Sequence, residues 1–381
     1  MRKQEMAILI FAFFSFFQSF GLDLSKFNWS YQYQTQVPVE IAHRVVAIED
    51  DIVVFFKIDV SAINQCNYAF LLQDKYASIP HDTLTNSQLD TLSISQNQGY
   101  FKLTLPQTNQ SLLIISISDP SENLYFLEDI KVSSPVGFPS LYPVDADGLP
   151  IFSAYINQEK TLIKGAQSIH AYEYSDNFKS ADPPMGIMKT LSPNLEIDSS
   201  FFFDGQPSMF KDYKFYLLQK DTLDQNGLTM LKCPAYYPKY KALSELIDPL
   251  TYITTSAEIK SLQKSYSKKD FEVFWINTYG TKFRAKNAIK VFYDRVEEVN
   301  ELFTDYKQGW KTDRGLIFMI FGAPPKVTRD ERLETWTYNN GVEFEFIRIS
   351  TLFAPTMYSL RRNRKYEKLW YNQVGEIRKG L

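Results

Sequence analysis

The spacing of apolar residues changes once along this chain of 381 residues, and the change limits what it can fold into. From Asn28 to about Val132 apolar positions alternate with polar ones or form short runs: WSYQYQTQV, IVVFFKIDV, NYAFLLQ, YFKLTL and SLLIISIS. Turn formers such as IEDD, QNQG and PQTNQ separate them, and no helical period is present. This pattern predicts an antiparallel β-sandwich over residues 22–135. In its first segment Trp29, Tyr31 and Tyr33 alternate with polar neighbours, as along a strand. A stretch rich in Pro, Gly and Ser (133–150) reads as a linker or crossover, and a second β-rich region follows to residue 239.

Near Tyr240 the period lengthens. YKALSELIDPL reads as helical up to Pro249. Thr255 with Glu258, and Ser267 with Asp270, place N-cap residues before helices, and Gly280 marks a stop. From Ala285 to Tyr306, Ile289, Phe292, Val296, Val299 and Phe303 form the apolar stripe of an amphipathic helix. After Gly315 the run LIFMIFG reads as a buried strand. APPKVTRDERLE reads as a polar loop, and TWTYNNGVEFEFIRI as a hairpin turning at Asn340-Gly341. The expected architecture is α+β: β-sandwich domains, then a helical segment with a small sheet over 240–381.

Apolar residues make up 44% of the chain, enough for several cores, and the formal charge of −3 gives no strong field towards nucleic acid. Residues 1–21 join Arg2 and Lys3 to an apolar run from Met6 to Phe17, then Ser19 and Gly21. That is the layout of a secretory signal, with a retained anchor as the alternative. Cys66 and Cys233 lie far apart, which favours two buried thiols over a disulfide. With His43, His81 and His170 they offer no familiar zinc spacing. VDADGLP resembles the start of a calcium loop, but position twelve from Asp145 is Ile156, so an Asp-rich turn is expected. No nucleophile elbow, HExxH or P-loop is present, so no catalytic residue, cofactor or metal is expected. From Arg361 to Leu381 the chain carries seven Lys or Arg against two Glu, a net of +5 that suits lipid headgroups or a partner.

The densest local signal is GWKTDRG at 309–315. Read from the residues, Gly309 stops the long helix in a left-handed conformation, and Trp310 folds back onto it. Thr312 and Asp313 suit a side-chain-to-backbone turn. Arg314 is placed to pair with Asp313, Asp305 or Glu334, and Gly315 permits close entry of a strand. A structural joint explains every residue type; the rival is an exposed Trp310–Arg314 hot spot.

Gly309, Trp310, Thr312 and Asp313, extended by Arg314 and Gly315, resemble the signature of the GWxTD-domain proteins of Bacteroidota and related bacteria. Phe274 and Trp275 in FEVFW, and Asn287, Tyr293, Arg295, Asn300 and Phe303 downstream, fit the same resemblance. So do Gly322 in IFGAPP and Trp336 and Tyr338 in ETWTY. The chain departs at Pro325, where an acidic residue is usual, and lacks an Asp-Pro-like turn after Trp275. The resemblance spans about 240–350. It implies export and a cell-envelope setting and brings no catalytic residues. The helix, Gly-Pro turn and hairpin also loosely resemble small outer-membrane-assembly lipoproteins.

The function expected is an exported, non-enzymatic interaction or scaffold component of an envelope complex, periplasmic or outer-membrane-associated, with an envelope protein as partner. Neither nucleic acid nor a small-molecule substrate is indicated. One alternative is an envelope hydrolase acting on peptide or glycan, with Asp305 and Asp313 converging in a cleft. The other is a carbohydrate-binding protein presenting Trp29, Tyr31 and Tyr33 as a planar row.

Overall fold

The computed structural model describes residues 23–34, 37–60, 63, 66–78, 82–84, 88–105, 110–119, 124–187, 195–204 and 210–380. The signal-like segment and His81 lie outside these residues.

Alternation does form two facing sheets. One holds β1 (Val39–Ile48), β2 (Asp51–Val60), β6 (Gln98–Leu105) and β5 (Leu89–Ile94), in that spatial order. The other holds β4 (Asp82–Leu84), β3 (Asn67–Gln73), β7 (Leu112–Asp119) and β8 (Leu124–Lys131). All neighbours run antiparallel. Val54, Phe56 and Ile58 of β2 meet Phe70 and Leu72 of β3 and Leu113, Ile115 and Ile117 of β7 between the sheets. The unbroken run in β7 has a physical cause. Its other face, Leu112 and Ile114, is buried as well, against the helical module. Cys66 belongs to the sandwich core and Cys233 to a separate small core with Phe215 and Tyr237.

The second β region pairs β9 (Tyr142–Val144) with β11 (Leu162–Lys164). Beside them lies a five-stranded sheet of β10 (Tyr155–Ile156), β15 (Leu228–Lys232), β14 (Lys214–Gln219), β12 (Ile169–Ser175) and β13 (Ser199–Phe203). The Asp145 turn closes on itself: its Oδ1 accepts from the N–H groups of Asp147 and Leu149 at 3.0 and 2.9 Å.

The helices follow as α1 (Leu243–Ile247), α2 (Ser256–Ser265), α3 (Lys268–Tyr279), α4 (Lys282–Phe303), α5 (Asp313–Phe321) and α6 (Glu367–Lys379). Thr255 and Glu258 form the reciprocal cap expected for α2, and Gly280 ends α3 at φ +77°. The C-terminal sheet is β16 (Lys326–Arg329), β17 (Leu333–Thr337), β18 (Glu343–Ile349) and β19 (Met357–Leu360), an antiparallel meander. Gly341, at φ +75°, makes the turn into β18.

Three local expectations are corrected. LIFMIFG is not a strand but most of α5, buried from Gly315 to Ile320. A short apolar run does not reveal its period, and here Thr312 caps it, Asp313 favours its first turn and Gly322 ends it at φ +78°. Residues 30–33 form a 3-10 turn, not a sandwich strand. They pack in the core of the helical module, because Trp29 donates its N–H to the Val327 carbonyl at 2.9 Å and Asn28 Oδ1 accepts from Val327 N at 2.9 Å. Gly309 is not the helix stop: α4 ends at Phe303 with an extended Thr304.

Candidate functional site

The GWKTDRG motif lies where α4, α5, the C-terminal sheet and the second β region meet. Gly309–Lys311 is one 3-10 turn lying on the last turn of α4. A Cβ on Gly309 would sit 1.9 Å from the Val299 carbonyl oxygen, and one on Gly315 would sit 2.0 Å from that of Gly309. Both positions therefore require glycine for close backbone approach, whatever their φ. Thr312 Oγ1 links the two turns, donating to Gly309 O at 2.7 Å and accepting from Gly315 N at 3.0 Å.

Trp310 is buried at 4% exposure, edge-on to Tyr252, whose hydroxyl donates to the Trp310 carbonyl at 3.0 Å. Asn300 is fully buried; its Oδ1 accepts from Trp310 N at 3.2 Å and its Nδ2 donates to Pro238 O at 3.2 Å. Lys311 pairs with Asp176 at 3.2 Å, and Gln308 Nε2 donates to the same carboxylate at 2.7 Å. The motif is thus fastened to the second β region as well as to its own helices.

Asp313 takes both Arg362 nitrogens, at 2.6 and 3.1 Å, and accepts from Leu360 N at 2.7 Å. Arg314 lies 3.8 Å from Glu334, donates to Tyr33 Oη at 3.2 Å and stacks over the Tyr358 ring at 4.0 Å. Glu334 is 1% exposed and accepts from Arg329 Nε, Tyr33 Oη and Trp336 Nε1 at 2.8, 2.7 and 2.9 Å. Burial pushes its carboxyl upward, but Arg329 and Arg314 outweigh that and hold it below the ordinary carboxylate range. Arg329 continues the network to Asp129 of the sandwich at 2.6 Å. Gly322 and Tyr338 close the far end of α5, where the Tyr338 hydroxyl donates to Gly322 O at 2.8 Å.

Beside this clamp a cleft of about 660 Å³ opens between the sandwich, the second β region and the C-terminal sheet. Its walls carry Glu40, His43, Glu128, Lys131, Glu301, Asp305, Arg314 and Arg348, with Tyr31, Phe126 and Phe353 between them. His43 Nδ1 is 3.2 Å from Glu128, whose carboxyl is pushed up by burial against the pull of His43. Burial, opposed mainly by Lys307, raises Asp305 to about 6. Asp313 does not line the cleft, so the two acids do not converge there.

Of the three partners that the sequence offers Arg314, Glu334 is the one within ion-pair distance, at 3.8 Å, while Asp313 pairs with Arg362. Sequence reasoning missed Tyr33, Asp129, Asp176 and Arg362, which join from elements up to hundreds of residues away. Their only sequence signal is that charged or phenolic side chains stand in otherwise apolar surroundings. Trp29 and Tyr33 are buried and Tyr31 is half-buried, with its hydroxyl on the Leu127 carbonyl; they form no exposed row. Four of the seven basic residues of the tail are ion-paired: Arg361 with Glu345, Arg362 with Asp313, Arg378 with Glu258 and Lys379 with Glu376.

These features define a multi-domain α+β protein in which a β-sandwich and a second β region are bolted to a helical module through a buried polar clamp. Residues 214–379 match the GWxTD domain, so this part of the chain carries that domain. The match begins in β14, so the domain includes the last two strands of the second β region. No curated protein matches the chain. Among solved structures, the crystal structure of DIP-gamma IG1+IG2 aligns with 53% of this chain and 99% of its own, at 9% identity and a TM-score of 0.15.

Proposed function

We propose that the protein is an exported, non-enzymatic interaction component that scaffolds a complex of the bacterial cell envelope, periplasmic or outer-membrane-associated, in a Bacteroidota-type cell. One observation carries the reading: the polar groups of the signature motif are spent on internal bonds. Thr312 serves two backbone turns, Asp313 serves Arg362 and Leu360, and Arg314 serves Tyr33 and Glu334. A motif used this way fixes the mutual placement of domains, and a rigid mount for several surfaces is what a scaffold needs. The last strands of two sheets support the reading. β5 exposes Leu92 and Ile94, and β13 exposes Phe201 and Phe202, at places where a partner's strand or apolar side chain has room to dock. The apolar run at Met6–Phe17 supports export. A hydrolase would need converging acids, and the tie between Asp313 and Arg362 favours the non-enzymatic alternative.

The test is affinity purification of the tagged protein from detergent-solubilised envelope after mild crosslinking. A reproducible stoichiometric partner is expected. Recovery of the monomer alone, or from the cytoplasmic fraction alone, would overturn the proposal.

A further inference from the structure

The face of the C-terminal sheet that enters the core changes character along its strands. Trp336 stands opposite Phe344, and Glu334 opposite Phe346, which in turn pairs with Leu360. One step further, Arg348 pairs with Tyr358. Cross-strand partners share a face with Cβ atoms about 5 Å apart, so Arg348 and Tyr358 stand side by side where the apolar core gives way to the cleft. Both line that cleft, as does Lys131 from β8 on the facing wall.

The neighbouring ions are already matched. Arg329 holds Asp129 and Glu334, Gln32 and His43 hold Glu128, and Glu331 accepts from Tyr76 N. Asp330 caps the turn at Arg332 and Leu333. Lys131 Nζ donates to the Glu331 carbonyl at 2.9 Å and lies 4.9 Å from the centre of the Tyr76 ring; Asp129, Glu331 and Asp330 favour its charge from nearby, but none forms an ion pair with it among the described residues. Arg348 makes no side-chain hydrogen bond or ion pair among the described residues, and the Tyr358 hydroxyl makes no hydrogen bond among them. Burial, and then the charge of Arg348, pull the Lys131 ammonium down to about 8. Two cations face one another here with donors to spare.

We propose that Arg348, Lys131 and Tyr358 form a carboxylate-binding site in the cleft, and that the carboxylate is an acidic side chain or chain terminus of the protein's partner. The site deepens the interaction reading above and rests on it for the identity of the ligand. A guanidinium fork flanked by a phenol and an ammonium matches a planar carboxylate. The acids on the opposite wall, Glu40, Glu128 and Glu301, weigh against a dianion such as phosphate and favour a singly charged group. Tyr31, Phe126 and Phe353 supply apolar surface beside it.

Thermal unfolding of the full chain in sodium acetate, with sodium phosphate and sodium chloride at matched ionic strength, tests the site. A saturable rise in Tm with acetate is expected. Arg348→Gln raises its midpoint concentration about tenfold or more, and Arg332→Gln, at an exposed arginine outside the cleft, leaves it unchanged. If Arg348→Gln does not fold by circular dichroism, Arg348→Lys carries the test, since it keeps the charge and loses the fork; an unchanged midpoint overturns the site. Absence of saturation, or the same midpoint in Arg348→Gln, also overturns it. Saturation with phosphate but not acetate overturns the carboxylate assignment. A partner recovered equally with wild type and Arg348→Gln removes the partner's carboxylate and leaves the interaction reading standing. Saturable acetate binding with no partner recovered does the reverse.

Discussion

Asp313 and Arg362, 49 positions apart, meet through two parallel hydrogen bonds at 2.6 and 3.1 Å, and Arg362 is only 8% exposed there. This contact fixes the first turn of α5 to the strand-to-helix segment that follows β19. Removal of Asp313 strands a buried guanidinium, which costs about 3–5 kcal/mol. Asp313→Ala is therefore expected to destabilise strongly in urea titration. Asp313→Ala/Arg362→Met is expected to cost less than the sum of the single changes, because the uncompensated charge is gone. Additive losses would contradict the pairing.

Glycines offer a contrast. Gly309→Ala places a methyl against the Val299 carbonyl, where the nearest atoms are backbone that has no room to yield. The change is expected to prevent folding of the helical module or cost several kcal/mol. Gly375, inside α6, has nothing within 4 Å of its would-be Cβ. Gly375→Ala is expected to stabilise by about 0.5–1 kcal/mol through helix propensity. Thermal melts of the two variants should move in opposite directions.

Asp305 supplies a pH signature. Its folded-state pKa of about 6 lies above its ordinary value of 3.8, raised by burial. The unprotonated form is thus disfavoured by folding. The contribution to stability is fully present below about pH 4 and is lost as pH rises through about 6. Asp305→Asn is expected to be more stable than wild type by about 3 kcal/mol at pH 8, about two pKa units at roughly 1.4 kcal/mol each, with the difference vanishing below pH 4. A pH-independent difference would show that the carboxyl is not desolvated.

Trp29 belongs in sequence to the sandwich region and in space to the GWxTD domain. It is fully buried, and its truncation to alanine is expected to cost about 3–5 kcal/mol. The location of the damage is the sharper test. Hydrogen exchange should accelerate in β16 and β17, while the β1–β2 ladder keeps its protection.

The parts read correctly from sequence carry local signals. Thr255, Ser267 and Gly280 bound their helices by short-range hydrogen bonding, and the α4 stripe repeats often enough to declare its period. Asn340-Gly341 turns a hairpin because Gly341 takes a positive φ. Errors arose where tertiary surroundings decide. LIFMIFG is covered on every side, so its pattern held no period. Trp29, Tyr31 and Tyr33 alternate like a strand, yet pairing with Val327 and burial in a distant core select a tight turn. The Arg329–Asp129–Glu334–Tyr33 network joins four separate segments, and no spacing rule links them. The cleft was invisible for the same reason: its walls come from three units whose packing is set by the clamp.

The strap at 28–33 gives folding a direction. Asn28 bonds Val327 across 299 positions, so Asn28 and Trp29 find these partners only after β16 exists, whereas Leu24 and Gln32 bond Tyr76 and Glu128 of the earlier chain. The sandwich strands have all their partners by residue 132 and are able to fold as the chain emerges. A chain arrested before residue 327 would thus carry a finished sandwich whose Trp29 backbone N–H and Asn28 carboxamide lack their partners on β16.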